Sequence, residues 1–144
     1  MTGWPLVELH QLARPIERAE TPEMGKIYRQ IGVKWWGEGA YERERIDGGS
    51  TRYPKFFQVN SGDLVINKIW TRHGSVCIIP DELSGCYVSN EFPVFTLNAE
   101  RVDIRWLHWL TKTRWLWEEC AKRSQGTSGK NRIRPEEFLR IPVP

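Results

Sequence analysis

With 144 residues, 40% hydrophobic and 27% charged, the chain has the size and balance of one globular domain. It has no run of about 18 apolar residues, which argues against a transmembrane helix, and no basic-then-apolar leader or paired cysteine framework, so a cytoplasmic protein is expected. The net charge of +3 is unevenly spread: residues 1–100 hold 11 Lys/Arg against 13 Asp/Glu, and residues 101–144 hold 10 against 5, so a polyanion would meet the C-terminal part.

Leu6, Leu9 and Leu12 recur at spacing three and predict a short amphipathic helix, or a strand then a helix, stopped by Pro15. Residues 14–25 are polar and read as a loop. KIYRQIGV (26–33) carries the β-branched and aromatic residues of a strand. Lys34–Tyr53 is glycine-rich and charged and reads as a long excursion, which in a small domain points to function. Phe56–Val59 reads as a strand, Ser61-Gly62-Asp63 as a turn, and Leu64–Trp70 and Ser75–Ile79 as a hairpin around Thr71–Gly74. Asp81–Gly85 is another turn, and Cys86–Leu97 gives one or two strands broken by Pro93. Asp103 caps a helical pattern that runs from Ile104 to about Arg123, in one piece or split near Thr113. The helical spacing of Trp106, Trp109, Trp115 and Trp117 predicts core positions. Pro135 opens a last helical turn before the extended Ile141–Pro144. Strands in the middle and helices toward both ends predict a single α+β domain over 1–144, with a twisted mixed or antiparallel sheet.

No catalytic constellation emerges. His73, Cys77 and Cys86 are the nearest approach to a metal cluster, and their spacing matches no zinc pattern. The three cysteines, Cys120 included, read as core. No serine or cysteine nucleophile has a local signature, and the phosphate-loop and dinucleotide patterns are absent. Asp63 with Lys68 is the one carboxylate–lysine pair of nuclease type, and Asp63 sits where turns favour aspartate anyway. We therefore expect no enzyme, no metal and no cofactor.

Binding is what remains. Lys34, Trp35, Trp36, Arg43, Arg45 and Arg52 decorate the first excursion. Lys68, Thr71, Arg72 and His73 decorate the hairpin tip. The third element, Lys122–Arg134, lacks acidic residues: Arg123, Lys130 and Arg132 alternate there with Ser124, Gln125, Thr127, Ser128 and Asn131. Arg and Lys suit phosphates, while Gln, Asn, Ser and Thr supply directional groups for base edges. Three such loops on a strand-rich scaffold could embrace a DNA duplex. Adjacent Trp35 and Trp36 cannot both turn inward, so one of them is expected at a surface, facing DNA, a partner or the core boundary. Two other readings stay open: a β-rich reader of modified bases or RNA, with an aromatic pocket from Trp35, Trp36 or Trp70, and an interaction scaffold anchored by tryptophans.

An ordered series of segments resembles a known family. It runs from Trp4-Pro5-Leu6-Val7-Glu8-Leu9 through Tyr28–Lys34, Ser61-Gly62-Asp63-Leu64-Val65-Ile66-Asn67-Lys68, Gly74-Ser75-Val76 and Arg101–Leu107. It closes with Gln125-Gly126-Thr127, Asn131-Arg132-Ile133, Phe138-Leu139 and Ile141-Pro142-Val143-Pro144. Taken together they resemble one target recognition domain of the specificity subunit of Type I restriction–modification enzymes. The resemblance implies a non-catalytic module that reads one half of a bipartite DNA target. It also implies partners: methyltransferase subunits, which modify adenine with S-adenosylmethionine, and a restriction and translocation subunit. The hairpin around Lys68–His73 and the 122–134 loop would then enter the major groove. The long spacer helix of such subunits would follow Pro144 and is not in this sequence, so either an excised domain or a half-subunit is expected.

Overall fold

The computed structural model describes residues 5–124 and 131–144. In chain order the elements are β1 (Val7–Glu8), a 3-10 turn (Leu9–Gln11), β2 (Ala13–Pro15), β3 (Ala19–Glu20), β4 (Ile27–Lys34), β5 (Gly39–Asp47), β6 (Phe56–Gln58), β7 (Leu64–Ile66) and β8 (Val76–Ile78). There follow β9 (Tyr87–Val88), β10 (Val94–Leu97), α1 (Ile104–Leu110), α2 (Arg114–Lys122), α3 (Pro135–Phe138) and β11 (Pro142–Val143).

The expected α+β class holds, with the strands divided among three sheets. β2-β10-β7-β8 is antiparallel throughout, β3-β6-β9-β4-β5 is mixed because β4 and β9 run parallel at Gln30 and Tyr87, and β1 pairs with β11. The central layer is β7 and β8. Leu64, Ile66 and Val76 pack with Leu107, Leu110, Leu116 and Phe138 of the helices, while Val65 and Cys77 pack on Ile31 and Val33 of β4. Strands buried on both faces read as unbroken apolar runs, which is why LVI and VCI carry no polar alternation. No helix among the described residues is long and apolar enough to cross a membrane.

Several boundaries differ from the sequence reading. The N-terminal helix is one 3-10 turn between two short strands, and Pro15 ends an edge strand, where its missing N–H costs no ladder bond. The expected strand over 64–70 stops at Ile66 because the Asn67 side chain accepts from the N–H groups of Ile69 and Trp70, closing the chain into a turn. The middle of the long excursion is a nine-residue strand, β5, at an outer sheet edge. Asp103 accepts from the Arg105 N–H and Pro135 opens α3, as expected, and the helical stretch is split at Thr113, whose side chain caps α2 by accepting from the Leu116 N–H. Cys77, Cys86 and Cys120 are buried, and burial pushes the Cys77 thiol up to about 12. Of the four helix tryptophans, Trp106 and Trp117 pack on the core, whereas Trp109 and Trp115 are 58% and 39% exposed.

A satellite cluster holds the outer sheet together. Tyr28, Phe56 and Tyr87 are buried against one another, and Glu20 accepts from the hydroxyls of Tyr28 (2.8 Å) and Tyr87 (3.1 Å) and from Lys26 Nζ (2.6 Å). The bond from Lys26, then that from Tyr28, holds the Glu20 carboxyl below its ordinary value. A folded-state value below the unfolded one stabilises the protein above the ordinary glutamate range, and that gain fades as pH falls through the depressed value. Glu20→Gln is therefore expected to lower the urea midpoint near pH 7, with the gap to the parent narrowing as pH falls below the ordinary glutamate range. A gap of constant size across that range would show that Glu20 contributes no linked protonation.

Candidate nucleic-acid interface

The β4–β5 hairpin closes through Trp35-Trp36-Gly37-Glu38, with the Glu38 N–H donating to the Trp35 carbonyl. Its central residues, Trp36 and Gly37, have φ of 58° and 70°. Positive φ at both is the sign pattern of a type I′ hairpin turn, which matches strand twist and ordinarily calls for Asn-Gly. Here Trp stands in the asparagine position.

The second element is the turn between β7 and β8. Asn67 O accepts from the N–H and the hydroxyl of Thr71, and Gly74 (φ 82°) donates to Thr71 O. Ser75 Oγ, buried, donates to Val33 O at 2.7 Å. The two turns meet backbone to backbone: Trp36 N–H donates to His73 O (2.7 Å) and Gly37 N–H to Gly74 O (3.1 Å). A third side closes at the α1–α2 junction, where Lys112 Nζ donates to Gly37 O at 2.8 Å and Trp36 lies 5.7 Å from Trp117. The start of the closing segment joins through Ile133 N–H, which donates to Lys68 O at 2.9 Å, and Lys68 N–H, which donates to Glu91 O.

The result is one polar edge carrying an aromatic cluster. Trp35 lies 4.9 Å from Trp70 and 4.7 Å from His73, Trp36 stacks on His73 (5.3 Å, 19° between planes), and the Arg72 guanidinium sits 5.4 Å from the Trp70 ring. Trp35 and Trp36 remain 41% and 54% exposed. Lys34 lies over the Tyr41 ring and, like Lys68, makes no ion pair among the described residues. Arg132 pairs with Glu91 at 3.4 Å.

Trp35, Trp36, Arg72 and His73 thus come together with Trp70; Lys34 adjoins them in the chain but lies over Tyr41, and Lys68 and Arg132 are linked to each other through Glu91 and the Ile133–Lys68 bond. Other expected residues do not join them. Thr71 is fully buried and its hydroxyl is used by Asn67 O, so it builds the turn and offers nothing outward. Arg43 lies mid-strand on β5, in the bulge where the register jumps from Gln30↔Glu44 to Ile31↔Glu42, and pairs with Glu44. Arg45 and Arg29 nearby both donate to Glu42, and the bond from Arg45, then that from Arg29, holds the Glu42 carboxyl below its ordinary value. Charges that neutralise one another along an exposed edge strand also discourage edge-to-edge pairing. Arg52 follows the Asp47 end of the hairpin, about 23 Å from the Trp turn at roughly 3.3 Å per residue. Arg123 lies 4.0 Å from Glu137, and Ser124 Oγ donates to Cys120 O, so both finish α2. Asn131 is half-buried. Gln125, Thr127, Ser128 and Lys130 lie outside the described residues. Lys112 was not anticipated: its contact joins residues 75 apart and leaves no local signal.

Asp63 and Lys68 form no catalytic pair. They lie beyond opposite ends of β7, and Asp63 is taken up by Arg18 at 2.7 Å. A concavity of about 730 Å³ lies at the Asp63 end of β7 and is lined by Ser61–Asp63, Thr96, Leu97 and Ala99–Ile104. No group of three or more His, Cys, Asp or Glu among the described residues could hold a metal ion.

No protein-family model and no curated protein matches the chain. Among solved structures it is similar to the HsdS subunit from Thermoanaerobacter tengcongensis, with TM-score 0.77, 19% identity, and coverage of 100% of this chain and 38% of that one. It is also similar to a chain from a structure on complex assembly and conformational transition of the type I R-M system, with TM-score 0.73, 16% identity and coverage of 100% and 38%. The chain thus spans under two fifths of the length of either, and its fold is the one expected from the sequence resemblance.

Proposed function

We propose that this chain is a DNA target recognition module of a Type I restriction–modification specificity subunit. It reads one half of a bipartite duplex target in the cytoplasm and directs methyltransferase subunits and a restriction and translocation subunit to it. The observation that carries this reading is the convergence of the Trp35–Glu38 turn, the Asn67–Gly74 turn and the segment starting at Asn131 on one basic, aromatic edge. The fold likeness to specificity-subunit chains supports it. In this reading Lys34, Lys68, Arg72 and Arg132 hold phosphates or guanine edges, and Gln125 and Asn131 are the candidate adenine readers. The module binds and positions; the chemistry belongs to its partners.

The test is selection of the purified chain on a pool of random duplexes at low salt, with sequencing of what is retained. An enriched motif of a few base pairs supports a recognition module, and no retention removes the reading. On a retained duplex, Lys34→Ala with Arg132→Ala is expected to flatten the slope of log affinity against log salt by about two units, at roughly 0.9 per phosphate contact. Arg52→Ala, at the far end of the hairpin, is expected to leave the slope unchanged. The reverse pattern would move the interface to the Arg52 end.

A further inference from the structure

Trp36 occupies a backbone position that its side chain disfavours. Left-handed φ is uncommon for any residue with a Cβ and a marked outlier for a bulky one, and the type I′ turn would be satisfied by Asn-Gly. Strain of this kind persists only where surrounding structure enforces it, and an observed outlier is a pointer to function. The enforcement here is visible. Trp36 N–H and Gly37 N–H donate to His73 O and Gly74 O, and Lys112 Nζ grips Gly37 O. Burial does not explain the residue, because Trp36 belongs to no core cluster and is more than half exposed. His73 is stacked on its ring. The Arg72 guanidinium sits over Trp70 within the cluster, and Lys34 immediately precedes Trp35 in the chain.

An exposed aromatic ring, backed on one side by a stacked imidazole and with a guanidinium in the same aromatic cluster, fits the face of a nucleobase next to its phosphates. Resting on the reading that this edge meets duplex DNA, we propose that Trp36 is a stacking residue: its indole takes the face of a base at a step that opens on binding. His73, Trp117 and Trp35 hold the ring, and the cost of unstacking that step is met by the new stack and the phosphate contacts beside it. Recognition then includes a term for how readily the step opens, separate from hydrogen bonds to base edges.

The experiment is a cycle between the protein and a duplex recovered from the random pool. A single mismatch is moved along the duplex, and binding by the parent chain is compared with Trp36→Asn and Trp36→Phe. A mismatch prepays the opening of its step. The parent is therefore expected to bind one mismatch position roughly tenfold more tightly than the matched duplex. Trp36→Asn is expected to keep or raise the melting temperature, since asparagine suits the turn, while weakening matched binding roughly tenfold and losing the mismatch gain. Trp36→Phe is expected to keep most of both. Matched binding by Trp36→Asn equal to the parent's, or a mismatch gain that survives in Trp36→Asn, overturns the stacking role while leaving DNA recognition standing. A melting temperature several degrees lower in Trp36→Asn with binding intact assigns the indole to packing and also overturns it. Failure of the parent to retain any duplex removes the DNA reading itself, and the stacking role with it.

Discussion

Gly74→Ala is expected to destabilise the protein by about 3–4 kcal/mol and to abolish salt-sensitive retention of DNA. A Cβ at Gly74 would lie 2.5 Å from Trp36 N, 2.6 Å from Trp36 Cα and 2.9 Å from Gly37 N. All three are backbone atoms of a clamped turn, so no side chain can rotate away. The two turns must separate, and the bonds from Trp36 N–H to His73 O and from Gly37 N–H to Gly74 O are lost. Left-handed φ adds about 1–2 kcal/mol for any residue with a Cβ, and each broken backbone bond about 1 kcal/mol. Gly85→Ala isolates the conformational part, because Gly85 has a similar φ of 89° and nothing within 4 Å of the added carbon. It is expected to cost only about 1–2 kcal/mol and to leave DNA retention intact. Urea denaturation of the two variants measures the difference, provided the slope with denaturant stays constant. Equal losses would mean that the turns are not held by this contact.

This contact also marks how far the sequence could be read. The strands that build the scaffold were legible because burial writes itself into composition. Val65 and Cys77 face one layer while Leu64, Ile66 and Val76 face the other, so both strands are apolar throughout. Asp103, Thr113 and Pro135 announce helix starts because the orphan N–H groups of a first turn need a partner or a residue without a donor. β5 was not legible. GAYERERID is exposed along most of its length, and a strand with no buried face has no period to detect. Trp109 and Trp115 misled in the opposite sense: Leu107, Leu110, Leu116 and Cys120 take the buried stripe and leave those two rings outside it. Thr71 looks like an exposed turn residue but folds its hydroxyl onto Asn67 O, a choice that sequence does not record. The basic loops were visible one by one. The meeting of the Trp35–Glu38 and Asn67–Gly74 turns depends on Gly74 and Lys112, which act across the fold, and on a Trp-Gly pair in a turn where Asn-Gly is the usual signal.

Arg18→Met alone is expected to cost about 1–3 kcal/mol, because it leaves the buried Asp63 carboxylate without its cationic partner while Arg18 itself is partly exposed. Asp63 is 4% exposed and accepts from Arg18 Nη1 (2.7 Å), Arg18 Nη2 (3.3 Å) and the Asn60 N–H (2.8 Å), while Arg18 Nη1 also donates to Gln58 O. The pair ties the segment before β3 to the turn that launches β7, which gives the Gly62-Asp63 step of the resembling motif a structural cause. Asp63→Leu removes the orphaned carboxylate, so the double variant is expected to be more stable than the sum of the single losses predicts, by about 1–3 kcal/mol. Incomplete recovery follows from the Asn60 N–H, which loses its acceptor in either case where Asp63 is replaced. Because Asp63 and the Trp turn lie toward opposite ends of β7, all three variants are expected to retain DNA with the parent's salt slope wherever they remain folded. A coupling near zero would show that Asp63 is held by the Asn60 turn alone. A changed salt slope would mean instead that the pair sets the position of the DNA-facing turns through β7.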